Sequence, residues 1–189
     1  RFALVSVLSA ALGIGSALTA VGGAPLPAAA TTCSGTSVAT FSALSAAYTA
    51  GSTICLGADI SVTGSTLTPG SATSNVINLN GYDLSISAAD GKAAINVPPG
   101  SSLVLTDTAG TSDVTLLGGS ASVAGSYLRG AGAAIGGNGG DDPLGQGSSG
   151  QSCGAVTIGG GRITMTGGSA IDPNDGWAAA AAGIGGEIG

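Results

Sequence analysis

The chain has 189 residues and a formal net charge of −6, and only 7% of its residues are charged. Its four Lys and Arg residues exclude the clustered basic surface that nucleic-acid binding requires, and the absence of His removes the commonest general base and metal ligand. A 43% hydrophobic content excludes an intrinsically disordered chain, while 36 glycines and 3% aromatic residues favour short strands and tight corners around a narrow core.

The first 30 residues are typical of a secretory signal peptide. Arg1 precedes an apolar run over residues 2–21, a Gly- and Pro-containing segment follows, and Ala28 and Ala30 supply the small residues of a cleavage site. The apolar run is also long enough to span a bilayer, and a retained span is the alternative. We expect cleavage after Ala30 and a protein that is secreted or held on a bacterial cell surface, with membrane contact only through this segment.

Residues 31–53 are predicted to form an N-terminal cap. Phe41, Leu44 and Tyr48 fall on one face of a short helix, Thr40 suits its N-cap, and Gly51 suits its end. A repeat protein needs such a cover because its first unit would otherwise expose apolar side chains and unpaired strand groups.

The cysteines indicate a disulfide between the cap and the first strand. Three cysteines in an exported chain are consistent with one disulfide and one remaining thiol. Cys55 lies between Ile54 and Leu56 and should therefore point away from the core, so we predict a Cys33–Cys55 bond. We interpret Cys153 as a small buried residue beside a strand rather than as a reactive thiol, and a partner outside this sequence is a further alternative.

Residues 54–189 carry a two-beat apolar pattern that returns about every 20 residues. Each beat is a pair of apolar residues separated by one residue, which is the alternation of a strand with one buried face. We therefore predict a stack of parallel turns with two strands each, truncated at its C-terminus, with an antiparallel sandwich as the alternative. The pairs are Ile54/Leu56, Ile60/Val62, Ile77/Leu79, Leu84/Ile86, Ile95/Val97, Leu103/Leu105, Val114/Leu116, Ala121/Val123, Val156/Ile158 and Ile163/Met165.

Several glycine-rich segments resemble modules of bacterial surface proteins. Residues 132–137, 156–168 and 182–186 are similar to the pattern A-G-I-G-G followed by G-x-V-T-I-x-G-G-x-I-T-x-T-G-G, and residues 75–87 are also similar to that family. The resemblance covers about residues 40–189. It implies an all-β fold, namely a right-handed parallel β-helix solenoid of the pectate-lyase-like type on an adhesin-like protein, and it brings no catalytic residues.

Polysaccharide-cleaving enzymes share that architecture, so the acidic residues must be considered. Such chemistry needs paired carboxylates or a calcium site with a basic residue. Asp59 and Asp83 each open the second strand of a turn and could stack on each other, and Asp107 follows another strand. Asp at a corner commonly accepts hydrogen bonds from nearby backbone N–H groups, so we interpret all three as structural and predict no catalytic residue.

Two loops contain incomplete calcium motifs. Residues 136–141 match the first six positions of the G-G-x-G-x-D nonapeptide, but Pro143 replaces its apolar residue and there is only one copy. Residues 172–176 begin like a calcium loop and then break the ligand spacing. We therefore predict no metal and no cofactor, with calcium as the alternative. The candidate ligands are Asp141, Asp142, Asp172 and Asp175.

The outward positions of the strands favour a surface protein without chemistry of its own. They are small and mostly polar, without the aromatic rings expected of a sugar-binding face. Trp177 is predicted to pack on the turns, and a sugar-stacking platform is the alternative. Thr164-x-Thr166 is typical of an ice-binding face, but one copy gives no lattice. We predict a structural or adhesive protein whose partners are extracellular glycans or a host surface. The alternatives are a polysaccharide-binding module, with or without calcium, and a fragment of a polysaccharide lyase or hydrolase.

Overall fold

The computed structural model describes residues 33–71, 73–121, 128–142, 150–171 and 178–185. The predicted signal peptide lies outside these residues. Within them there is one helix, α1 (Phe41–Ala50), and the rest is mainly β-structure. The strands are β1 (Thr36–Val38), β2 (Thr53–Leu56), β3 (Ile60–Thr63), β4 (Ser74–Asn78), β5 (Leu84–Ser87), β6 (Ile95–Asn96), β7 (Ser102–Thr106), β8 (Asp113–Leu117), β9 (Leu128–Arg129), β10 (Ile135–Gly136), β11 (Asp141–Asp142), β12 (Ala155–Ile158), β13 (Arg162–Thr166), β14 (Ser169–Ile171), β15 (Ala178–Ala180) and β16 (Ile184–Gly185).

Most of the strands are divided among three parallel sheets, whose strands are stacked turn upon turn. Sheet A has the order β1-β2-β4-β7-β12, sheet B has β13-β8-β5-β3, and sheet C has β16-β10-β6. Along the chain, one strand joins sheet A, the next joins sheet B, and the next joins sheet C before the chain returns to sheet A, as in β4, β5 and β6. In the first turn, Leu67 alone takes the sheet C position by bridging to Ile95. The predicted parallel pairing is confirmed, and β9/β11 and β14/β15 are small antiparallel additions.

The predicted turn of two strands and about 20 residues is wrong, because each turn contains three strand positions. Residues at the start of sheet B stack at sequence separations of 24, 30 and 49 residues. Successive pairs therefore do not simply alternate between two sheets: Ile77 belongs to sheet A, whereas Ile95 belongs to sheet C. Alternation identifies each strand but carries no information about the sheet that it joins, and a two-residue strand such as β6 has almost no pattern.

The inward apolar side chains form one continuous core. Ile54, Ile77 and Leu105 stack on one another in sheet A and are fully buried. The prediction that the apolar pairs face inward is thus confirmed for these strands. In the last described turn, Ile158 is 38% exposed and Ile184 is 45% exposed.

Helix α1 forms over the predicted residues and packs against β1 and β2. Thr40 Oγ1 accepts a hydrogen bond from the Ala43 N–H at 3.3 Å, and Gly51 ends the helix with a φ of 75°. Leu44 and Tyr48 are buried, and the Tyr48 hydroxyl donates to the Asn96 carbonyl at 2.9 Å. The helix is therefore fastened to sheet C of the second turn as well as packed on the first.

The predicted Cys33–Cys55 disulfide is confirmed, with 5.9 Å between the two Cα atoms. It joins the residues before β1 to β2, and β1 itself is an edge strand that the sequence pattern does not predict. Cys153 is a free thiol that packs partly buried against the core, and its Sγ donates to the Gly154 carbonyl at 3.1 Å. Burial raises the pKa of this thiol, so its environment opposes a reactive thiolate.

Glycines occupy the places where successive turns meet through their backbones. A Cβ atom at Gly119 would overlap the Ala89 carbonyl, and the Gly119 carbonyl in turn accepts from the Gly132 N–H at 2.9 Å. Gly136 has a φ of 143° and lies against the backbone of Gly185 in the next turn. The glycine-rich segments thus reflect close backbone packing at the sheet corners.

Candidate functional site

The outer surface of sheet B is the most regular exposed feature of the described residues, and we call it the sheet B face. Strands β3, β5, β8 and β13 stay in register, so residues at equivalent positions form straight columns. The charged column contains Asp59, Asp83, Asp113 and Arg162, the central column contains Ser61, Ser85, Thr115 and Thr164, and the outer column contains Thr63, Ser87, Leu117 and Thr166.

The charged column is a ladder in which each carboxylate binds the next turn. The Asp83 N–H donates to Asp59 Oδ1 at 2.9 Å, and the Asp113 N–H donates to Asp83 Oδ1 at 2.8 Å. Arg162 closes the ladder with two hydrogen bonds of 2.7 Å from its guanidinium to the Asp113 carboxylate. Asp59 and Asp83 therefore do lie on adjacent turns, but they bind the backbone of the following turn rather than their own.

The ion pair at the end of the ladder favours the charged form of both partners. Hydrogen bonds from Arg162, assisted by its charge, lower the pKa of Asp113 below its usual range, and the same contacts raise the pKa of Arg162. A carboxyl group that protonates a glycosidic oxygen needs a raised pKa. Asp113 is shifted in the opposite direction, so its environment suits a structural ion pair better than a general acid.

Asp107 lies at a corner and supports the chain there, as expected from the sequence. Its carboxylate accepts hydrogen bonds from the N–H groups of Gly81 and Ala109 at 3.1 Å and of Ser112 at 2.9 Å. Burial, the largest single effect, raises the pKa of Asp107, but the bonds from Ser112, Gly81 and Ala109 together lower it below the ordinary value. Asp107 is thus a buried anion that holds two turns together.

The candidate calcium ligands are not assembled into a site by the described residues. Asp141 and Asp142 form β11, which pairs with β9, while Asp172, Asp175 and the neighbouring Trp177 lie outside the described residues. No cluster of three or more His, Cys, Asp or Glu residues that could hold a metal occurs in the part of the chain that the structure describes.

The residues of the G-G-x-G-x-D motif make backbone contacts and a hydrogen bond within the fold instead. Asn138 Oδ1 accepts from the Ala93 N–H at 2.9 Å. A Cβ atom at Gly137 would overlap the Gln151 carbonyl, and one at Gly139 would overlap the Gly130 carbonyl. This motif therefore has a structural explanation that needs no ion.

The central and outer columns contain seven hydroxyl groups that bind no other described residue. On sheet A, by contrast, the Ser102 hydroxyl donates to the Ser74 hydroxyl at 3.0 Å. The sequence pattern singled out only Thr164-x-Thr166 and not the three tripeptides that stack beneath it. Their signal is present, because Ser61-x-Thr63 and Ser85-x-Ser87 also place hydroxyl residues on either side of an inward apolar residue, and Thr115-x-Leu117 does so on one side.

This site can offer hydrogen bonds and a fixed spacing, while its carboxylates are used within the fold.

Within the described residues, no helix is both long enough and apolar enough to cross a bilayer. Comparison with known proteins adds no relative: no family model, no curated protein and no solved structure matches this chain significantly.

Proposed function

We propose that this chain is an exported bacterial surface protein with a structural or adhesive role and without catalytic activity. Three in-register parallel sheets that the chain enters in turn support a right-handed parallel β-helix as the architecture. The Cys33–Cys55 disulfide supports export, because such bonds persist mainly in oxidising compartments. The signal-like first 30 residues support the same location.

The observation that supports the non-catalytic role is the use of four carboxylates among the described residues. Asp59 and Asp83 accept backbone N–H groups of neighbouring turns, Asp113 binds Arg162, and Asp107 accepts three backbone N–H groups. A catalytic pair needs one carboxyl that gives up a proton and another that is free to attack or to activate water. These side chains instead link neighbouring turns through hydrogen bonds and an ion pair.

Surface exposure can be tested with an epitope tag inserted at Gly110, which lies in an exposed turn with no atom within 4 Å of an added Cβ. In an expressing bacterium, an antibody added to intact cells should label the tag, and external protease should remove it. A matched chain without residues 1–30 should remain unlabelled. A tag that becomes accessible only after lysis of cells carrying the full chain would contradict export. For the adhesive role, the same cells should be retained on immobilised extracellular glycans more than cells without the protein.

The second candidate, a polysaccharide-binding module, is favoured by Tyr82. This ring is 36% exposed and directly precedes Asp83 at the corner that leads into β5. Sugar rings pack on exposed aromatic faces. Titration with neutral polysaccharides should then show binding that Tyr82→Ala removes and that Leu117→Ala, at a similarly exposed residue on the sheet B face, retains. A calcium-assisted version requires that EDTA also weakens binding.

A further inference from the structure

We propose that the sheet B face binds ordered water and thereby adsorbs to ice. The surface consists of the central and outer columns of Ser and Thr side chains on β3, β5, β8 and β13, with Leu117 as the one position without a hydroxyl. The occupant is the water lattice of an ice surface, which is a partner distinct from the glycans or cells of the proposed function.

The first argument is the periodicity of the surface. Neighbouring strands lie about 4.8 Å apart, and alternate residues along one strand lie about 6.6 Å apart. Because the pairing keeps one register from β3 through β13, the hydroxyl groups repeat at both spacings without a shift. A repeating array of groups is suited to a repeating ligand rather than to a single small molecule.

The second argument is that these hydroxyls are available to water. A hydroxyl can donate one hydrogen bond and accept two, and none of the seven binds another described residue. Thr115, Thr164 and Thr166 are exposed, as are Ser61 and Thr63, while Ser85 and Ser87 are partly exposed. Water molecules that bridge two such groups are held in positions set by the backbone.

The third argument concerns what the two hydroxyl columns lack. They contain no charged residue and no aromatic ring, so they provide neither the ionic contacts that attract a charged polymer nor a stacking surface for a sugar. The carboxylates beside them are engaged in the ladder, where Asp113 is neutralised by Arg162. Methyl groups of the Thr residues and the side chain of Leu117, which is 39% exposed, add apolar surface that orders neighbouring water.

The test compares two threonines that occupy exposed central positions on different sheets. Thr115 lies on the sheet B face, and Thr157 lies on β12 of sheet A. The full chain should slow recrystallisation in polycrystalline ice and should be enriched in slowly grown ice relative to an inert globular protein. Thr115→Lys should raise the protein concentration needed for this effect several-fold, because a long charged side chain interrupts the array. Thr157→Lys should behave like the unaltered chain.

Several results would overturn the proposal. They are an unaltered chain with no effect on ice, a Thr115→Lys variant that is as active as the unaltered chain, or a Thr157→Lys variant that is equally impaired. Circular dichroism and the melting temperature establish whether each variant folds. If Thr115→Lys does not fold, Thr164→Lys is tested in its place. Binding to crystalline cellulose or chitin that depends on Thr115, without any effect on ice, would assign the face to polysaccharide instead.

Discussion

A single buried carboxylate can decide how a corner of this stack responds to acid. Asp107 is 8% exposed and accepts three backbone N–H groups, from the preceding turn and from its own loop. Asp107→Ala leaves these donors without their partner, and we expect the free energy of unfolding to fall by about 1–3 kcal/mol. Denaturant titration at neutral pH measures this loss, and an unchanged midpoint would contradict the role of Asp107.

The lowered pKa of Asp107 also sets the sign of a pH dependence. A carboxyl with a lower pKa in the folded state than in the unfolded state stabilises the fold above its ordinary pKa of 3.8, and this contribution is lost as the pH falls through the folded value. Asp107→Asn has no charge to lose, so its stability should decline less between neutral pH and acid than that of the unaltered chain. Parallel thermal melts across this range provide the measurement, and identical slopes would count against the assignment.

Substitution of two glycines tests whether glycine is required for close backbone packing or only for its conformational freedom. Ala at position 119 would force its Cβ into the Ala89 carbonyl, whereas Ala at position 159 would make only an ordinary contact of 3.5 Å with Thr106. Gly119→Ala should therefore lower the free energy of unfolding by about 1–3 kcal/mol or prevent folding. Gly159→Ala should change it little. Equal effects of the two substitutions would show that backbone approach at Gly119 is not limiting.

At the scale of the elements, the N-terminal cap is attached to the sheets through the packing of its helix and through a covalent bond. Loss of the Cys33–Cys55 disulfide in a double Ser variant should lower the free energy of unfolding by about 3 kcal/mol. A reducing agent should destabilise the unaltered chain by a similar amount and leave the double variant unaffected. Equal sensitivity of both proteins to the reductant would mean that the stabilisation arises elsewhere.

The elements also show which features a sequence can predict. Helix α1 was predictable because Thr40, its apolar face and Gly51 are all local signals, and the disulfide was predictable because Cys55 interrupts an inward-facing pair. Sheet C was not, since β6, β10 and β16 have only two residues each. The contacts of the candidate site were likewise predictable only in part. Stacking of Asp59 on Asp83 followed from their equivalent places, but Arg162 lies 49 residues from Asp113, and no local pattern connects them.

For the whole molecule, the proposed absence of catalysis makes a direct prediction. The full chain, incubated with pectins, alginates and glucans with and without calcium, should release neither new reducing ends nor unsaturated products. The physical reason is that the carboxylates of the ladder and of Asp107 are engaged with backbone N–H groups or with Arg162. Products that disappear in Asp59→Asn or Asp83→Asn would overturn the non-enzymatic assignment.

The increasing separation between stacked residues gives the stack a direction of assembly. Joining Asp59 to Asp83 closes a segment of 24 residues, whereas joining Asp113 to Arg162 closes one of 49, and each doubling adds about 0.6 kcal/mol of chain entropy. The early turns also rest on the helix and the disulfide, while the last described turn leaves Ile158 and Ile184 exposed. We therefore expect amide hydrogen exchange to be slowest in β2, β4 and β5 and fastest in β12, β13 and β16. A chain that emerges with its N-terminus first would then meet, at every stage, an already formed template on which the next turn can add.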